Sequence, residues 1–243
     1  MQIFKFFSII IPVFNEEKIL LTQIKKLQKF LNKFYKNHYE ILLIDNGSKD
    51  QTFYLARELA KSNTKIQVLK LKNACYGKAI VEGIKKAKYD YIIQLDIDFI
   101  DNNFIKQSLL FLKQYDIIVG SKIHPLSKDK RPKIRIFLTR LISKVIKILF
   151  FYPGTDTHGI KTYKKNKIRK ILKLIKTKHH FFETEIMLRA YYNNFKIKEI
   201  PVNIQELRPS RFPVVLRFYQ AIYEFIYLIK HRNEIVKKNK ISS

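Results

Sequence analysis

Along the first half of the chain, short β-branched apolar runs alternate with longer stretches whose apolar residues recur every three or four positions. Phe6 to Val13 is a continuous apolar run closed by Pro12 and Asn15, and it predicts a buried strand. From Glu16 to Tyr35, Ile19, Leu20, Ile24, Leu27, Leu31 and Phe34 fall at helical spacing, with lysines on the other face. The same reading gives strands over Tyr39–Ile44, Ile66–Leu71 and Tyr89–Leu95, and helices over Gln51–Lys61 and Lys78–Lys88. A βαβαβαβ order predicts an α/β fold: a mostly parallel sheet with right-handed crossovers and helices on both faces. Ligands of such sheets bind beyond the carboxyl ends of the strands. The polar clusters Pro12–Glu17, Asp45–Ser48 and Asp96–Asp98 all fall at those ends.

The second half departs from this alternation. Ile134 to Phe151 carries a helical apolar stripe (Phe137, Leu138, Leu141, Ile142, Val145, Ile146, Leu149) beside Arg135, Arg140, Lys144 and Lys147. A basic amphipathic helix suits the headgroup boundary of an anionic membrane; a core-packing helix with a solvated basic face has the same pattern. Tyr152-Pro153-Gly154 ends it, and the polar cluster Asp156-Thr157-His158-Gly159 follows. Helices are then expected over Lys165–Lys176 and Phe181–Tyr192, with a strand over Lys196–Ile204. The aromatic stretch from Val214 to Lys230 turns basic at Lys230-His231-Arg232, as an interfacial helix would.

Composition narrows the partners. The chain of 243 residues has a formal net charge of +28, which attracts nucleic acid, anionic leaflets or phosphate-rich substrates. Its lysines are spread over all the predicted helices, and no helix-turn-helix or RNA-reading aromatic signature is present. A nucleic-acid partner is therefore not expected. The single cysteine, Cys75, rules out an internal disulfide and a cysteine-based zinc site, and fits a reducing compartment. No run reaches the ~20 apolar residues of a spanning helix. Met1 to Phe14 lacks a small-residue cleavage site, so neither a signal peptide nor a transmembrane helix is expected.

Asp96-Ile97-Asp98 places two carboxylates at alternate positions after an apolar strand, in a chain with only 20 acidic residues. Paired hard oxygen donors beside a diphosphate suit Mg²⁺ or Mn²⁺, with phosphate oxygens and water completing the shell. Asp45 and Asn46 can hydrogen-bond a base or ribose, and Gly47 permits the tight turn after them. Glu16 and the ring of Phe14 offer further contacts to a nucleoside. His179-His180 have no carboxylate or cysteine spacing of a zinc site and read as surface or capping residues.

The segments IIIPVFNEE, LLIDNGSKDQT, NACYGKAIVEGIKKAKYDYIIQLDID and GSKIH, in this order and spacing, resemble glycosyltransferase family 2, the GT-A fold. DTHGIKTYKK, FFETEIMLRA and IKEIPV are similar to the branch that acts on polyprenyl and dolichyl phosphates. The resemblance implies that Pro12, Phe14, Glu16, Asp45 and Asn46 hold the nucleoside, with Gly77 and Lys78 also on the donor. It implies that Asp96 and Asp98 carry Mg²⁺ or Mn²⁺ and the donor diphosphate. Lys122, Arg140 and Arg208 would grip phosphates, and with Asp98 they form the implied catalytic set. The implied reaction is inverting transfer of a sugar, mannose or glucose, from a nucleoside diphosphate sugar to a lipid phosphate. It implies a donor part over 1–125, an interfacial helix over 126–152, an acceptor-side part over 153–210 and a basic amphipathic tail over 211–243. The expected location is peripheral, on the cytoplasmic side of an anionic membrane, with a membrane-anchoring subunit as an open question.

The sequence departs from the family pattern at three places. Asn46 stands for a second Asp, Lys122 for an Arg, and Ile100 for a polar residue two positions after the metal pair, where Asp101 could substitute. Family members that glycosylate hydroxyls use a carboxylate of the second half as a base. If Glu183 or Glu185 pointed into the cleft, the acceptor would instead be a glycan hydroxyl.

Overall fold

The computed structural model describes residues 6–204 and 214–237, with backbone alone over 214–221. Arg208 lies outside the described residues. The first half runs β1 (Phe7–Val13), α1 (Leu20–Phe34), β2 (Tyr39–Asp45), α2 (Thr52–Ser62), β3 (Ile66–Lys70), α3 (Tyr76–Lys86) and β4 (Tyr91–Gln94). It continues through α4 (Asn102–Phe111), β5 (Ile117–Ser121), β6 (Lys128–Asp129), α5 (Lys133–Phe150), β7 (Lys161–Lys164) and α6 (Lys165–Leu172). The described chain closes with α7 (Phe182–Tyr192), β8 (Ile197–Pro201), β9 (Asn203–Ile204), α8 (Val214–Lys230) and α9 (Arg232–Val236).

Seven strands form one sheet in the order β3-β2-β1-β4-β7-β5-β8. β1 pairs in parallel with β2 and β4, and β5 in parallel with β8, while β7 enters antiparallel between β4 and β5. β1 and β2 are covered on both faces, which is why they read as unbroken apolar runs without alternation. One core layer packs the sheet against α1 through Leu20, Ile24, Leu27 and Leu31. The other packs it against α3, α6 and α7, with Ile80, Ile84, Ile168, Ile171 and Ile186 buried. The order of strands reverses between β1 and its neighbours, and ligands of such sheets bind beyond the carboxyl ends of the strands at that switch.

Several boundaries differ from expectation. The strand expected over Lys196–Ile204 is two strands, β8 and β9, the second pairing with β6 in a separate small sheet. The helix expected to reach Lys176 stops at Leu172, since residues 176 and 177 turn to donate their N–H groups to Glu185. β7 was hidden by its composition: its sequence is KTYK, yet Lys161, Thr162 and Tyr163 are all wholly buried. A lysine-rich tetrapeptide carries no strand signal, because its burial depends on partners that come from α7.

α5 gives only the C-terminal end of its apolar stripe to the core. Only Ile146 and Phe150 are buried, while Ile134, Phe137 and Ile148 are about 60% exposed. Phe151, at its left-handed C-cap, is 70% exposed. Among the described residues no helix is long and apolar enough to cross a membrane.

Candidate active site

Two laced loops lie beyond the carboxyl ends of β1 and β2. The loop after β1 and the loop after β2 exchange bonds through Asn15 N–H to Ser48 Oγ (3.0 Å), Lys49 N–H to Asn15 Oδ1 (2.8 Å) and Glu16 N–H to Thr52 Oγ1 (2.6 Å). Gly47 sits between them at φ +76°, a left-handed conformation that glycine adopts without strain. The lacing holds Asp45 wholly buried, with Oδ1 accepting from Ser48 N–H at 3.3 Å. Its Oδ2 is buried without a hydrogen-bond partner. Buried carboxylate oxygens are nearly always paired, so an orphan at a strand end marks a place for a ligand donor. Pro12 and Phe14 are half-buried beside it, and Glu16 is buried.

Asn46, expected on the nucleoside, has a structural bond: its Oδ1 accepts from Cys75 N–H at 2.7 Å and fixes the start of α3. Gly77 is a close-approach residue. A Cβ there would lie 2.6 Å from the Phe182 ring and 2.8 Å from the Lys178 carbonyl, to which Gly77 N–H donates. Lys78 is exposed and lines an open groove with Cys75, Lys176 and Lys178. Neither residue bonds to Asp45 among the described residues.

At the end of β4 the chain turns tightly, Phe99 N–H donating to the Asp96 carbonyl at 2.9 Å, and this folds Asp98 back beside Asp96. Burial, then the charges of Asp98 and Glu183, push the Asp96 carboxyl up to about 7, against the opposing pull of Lys122 and Lys161. Negative charges crowded to that degree are relieved by a divalent cation, so the pair fits Mg²⁺ or Mn²⁺. Only two protein carboxylates are offered by the turn, which leaves positions for phosphate oxygens and water. Asp101 does not join them. Its Oδ1 caps α4 through Asn103 and Phe104 N–H, and its Oδ2 accepts from Asn203 N–H at 3.1 Å.

A buried network lies beneath this turn. Gln94 donates to Glu183 Oε1 (2.6 Å) and to Tyr76 Oη (3.1 Å), and accepts from Tyr163 Oη (2.9 Å). Lys161 Nζ donates to the same Glu183 oxygen at 2.7 Å and to the Gly159 carbonyl at 2.6 Å. Glu185 faces elsewhere, accepting from Lys176 and Thr177 N–H and from Arg189 Nε at 2.8 Å.

A cavity of about 300 Å³ lies under α5, lined by Lys122, Arg131, Thr139, Ser143, Asp156 and His158 among others. Lys122 is anchored there, its Nζ 3.2 Å from Asp156 Oδ2 and bonded to the His158 carbonyl. Burial alone would raise Asp156, but the Lys122 ammonium and the N–H groups of Lys122 and His158 outweigh it and hold the carboxyl at about 2. His158 bonds through Nε2 to the His180 carbonyl and through Nδ1 to the Thr157 hydroxyl, so both ring nitrogens are engaged. Burial lowers its pKa. Arg140 is exposed on α5 and is not among the lining residues of this cavity. Arg131, just before α5, lines it instead, its side chain held by three hydrogen bonds to the Asp129 carboxylate. Sequence reasoning overlooked Arg131, although the Arg-Pro step at a predicted helix start was visible. His179 and His180 serve by backbone groups, and no cluster of three metal-ligating side chains occurs among the described residues.

The family model for glycosyl transferase family 2 matches residues 8–195, which covers β1 to α7 and both ends of the cleft. The chain belongs to glycosyltransferase family 2. A dolichyl-phosphate beta-glucosyltransferase of Dictyostelium discoideum is 30% identical over 223 residues, covering 85% of this chain and 68% of that protein. One from Saccharomyces cerevisiae is 25% identical, covering 87% and 70%. Glucosyl-3-phosphoglycerate synthase of Mycobacterium tuberculosis, solved with Mn²⁺, UDP and glucosyl-3-phosphoglycerate, superposes with a TM-score of 0.70 at 11% identity, covering 93% and 79%. TarS of S. aureus with UDP-GlcNAc gives 0.60 at 19%, covering 95% and 70%. These likenesses show the GT-A family fold.

Proposed function

We propose that this family 2 enzyme transfers glucose from a nucleoside diphosphate sugar to a dolichyl or polyprenyl phosphate, with inversion, at a membrane surface. The observation that carries the acceptor class is the cavity under α5. It offers two cations, Lys122 and Arg131, and its carboxylate Asp156 is held at about 2. A hydroxyl acceptor needs a base to take its proton; a phosphate monoester is already ionised at neutral pH and does not. Glu183 and Glu185, the two residues that could have served a hydroxyl acceptor, are not among the lining residues of this cavity.

On this reading, Asp45 and Phe14 orient the nucleoside, and Asp96 and Asp98 would hold Mg²⁺ or Mn²⁺ with the diphosphate. The bound cation would neutralise charge developing on the departing nucleoside diphosphate. Lys122 and Arg131 would orient the acceptor oxyanion at the anomeric carbon, so catalysis rests on positioning and charge. Arg140, exposed on α5, fits a membrane phosphate better than the buried acceptor. The exposed row of Ile134, Phe137 and Leu141 with its flanking lysines and arginines supports an interfacial role for α5.

The test is transfer from UDP-[¹⁴C]glucose to dolichyl phosphate or to dolichol, each with Mn²⁺, with Mg²⁺ and with EDTA. Metal-dependent organic-phase label on the phosphate alone is expected. Label on dolichol, or on neither lipid while UDP-glucose is hydrolysed, overturns the acceptor reading.

A further inference from the structure

Between α6 and α7, five backbone N–H groups are taken by two buried carboxylates. Lys176 and Thr177 donate to Glu185, at 3.0 and 2.9 Å. Lys178, His179 and Phe181 donate to Glu224, at 2.9, 2.8 and 2.8 Å. A buried carboxylate is costly unless its oxygens are bonded, and three N–H donors satisfy Glu224. This residue comes from α8, where it is the one acid in 17 residues. The helix turns it inward, leaving it 6% exposed while its neighbour Tyr223 is 74% exposed.

So anchored, the loop presents two carbonyls. That of Lys178 accepts from Gly77 N–H at 2.8 Å. That of His180, which lies between two of the residues Glu224 holds, bonds to His158 Nε2 at 2.7 Å. A carbonyl only accepts, so Nε2 carries the ring proton. Burial favours the neutral ring, in which Nδ1 accepts from the Thr157 hydroxyl at 3.0 Å. Thr157 Oγ1 then accepts from the Thr184 hydroxyl of α7 at 2.8 Å. His158 is thereby held in one tautomer and one orientation. Its main chain meets the cavity under α5. Its N–H donates to Asp156 Oδ1 at 2.8 Å, and its carbonyl accepts from Lys122 Nζ.

We propose that Glu224 is a positioning residue for Lys122, acting through the His180 carbonyl and the His158 ring to fix the cavity wall that seats the ammonium. This inference rests on the lipid-phosphate acceptor proposed above. Glu224→Gln keeps the shape but sets an amide NH₂ against one or more of the three N–H groups. Residues 176 and 177 stay held by Glu185, and the Lys178 carbonyl by Gly77. The substitution therefore loosens residues 179–181, which carry the carbonyl that holds His158.

Two readouts on the full chain in detergent test this. The first is ¹⁵N-histidine NMR without substrate, the His158 signal being assigned by its absence in His158→Gln. Wild type is expected to show His158 as the Nε2–H tautomer with its proton protected from solvent exchange, and Glu224→Gln should lose that protection. The second is transfer kinetics. In Glu224→Gln the KM for dolichyl phosphate should rise ~10–100-fold, while the KM for UDP-glucose stays unchanged. Should that variant not fold, Glu224→Asp keeps the charge but reaches less far, and the same two changes are expected at smaller size. Wild-type exchange and kinetics in the folded variant, or an equal rise in both KM values, overturns the proposal. A wild type that shows the protected tautomer but transfers nothing to dolichyl phosphate overturns the acceptor reading instead, so the two failures are distinguishable.

Discussion

At the donor end of the cleft, Asp45 keeps a buried oxygen without a partner and Asp96 is pushed up to about 7. At the end under α5, Asp156 takes three hydrogen bonds or ion contacts from Lys122 and His158 and is pulled down to about 2. The two ends use the same side chain for opposite purposes. Carboxylates left under-satisfied at strand ends attract a cation and nucleoside N–H or O–H donors. A carboxylate saturated by a lysine and two amides serves to hold that lysine in place. The proposed reaction needs both, since the donor would bring its charge with a metal and a lipid phosphate would bring its own.

The sharpest way to break this contrast is to remove the donor carboxylate. Asp98→Ala takes away half of the metal pair, and the lost charge stabilisation is several kcal/mol, or ~10³-fold or more in transfer rate. Label incorporation from UDP-glucose at saturating Mn²⁺ measures it. A rate within tenfold of wild type would mean that the cation is held elsewhere and that the donor end is not what its electrostatics indicate.

The membrane face sharpens the comparison on the acceptor side. Phe137 and Leu141 lie one turn apart on α5, exposed at 60% and 46%. Burying each in a bilayer interface contributes ~1.5 kcal/mol or more. Phe137→Glu/Leu141→Glu should therefore reduce partitioning to anionic liposomes ~10²-fold, while UDP-glucose hydrolysis in detergent is retained. Sedimentation with vesicles of mixed neutral and anionic phospholipid reads this directly. Unchanged sedimentation would return the apolar stripe to some other partner.

How much of this was legible depended on which interactions carry each part. The donor end was readable because strand ends, an Asp-x-Asp turn and a Gly turn are local, and all fall within a few residues of an apolar run. The parallel order of β1 to β4 followed from the same alternation. The acceptor end depends on contacts across the chain, such as Asp156 with Lys122, 34 positions apart, and Glu183 with Lys161, 22 apart. Nothing in KTYK announces that its first lysine is a core residue. Arg140 stood out on a helical wheel, whereas Arg131 faces the cavity only because α5 starts immediately after it. The apolar stripe of α5 was visible as a stripe, but two environments fit it equally until its exposure was known.

The smallest expected effect tests whether Asp156 is a holder and not a base. Its folded value of about 2 is below the ordinary 3.8, so the carboxylate stabilises the fold whenever it is ionised. That contribution is fully present above pH ~4 and is lost as pH falls through ~2, amounting to about 2 kcal/mol. Urea unfolding of wild type and Asp156→Asn at pH 7, 4, 3 and 2 should show a constant stability gap down to pH 4. The gap should then shrink by about 2 kcal/mol towards pH 2, because protonated Asp156 becomes equivalent to the amide. A gap that stays flat to pH 2 would mean that Lys122 does not depend on Asp156. Asp156 would then be no better satisfied than Asp45, and the contrast between the two ends would fail.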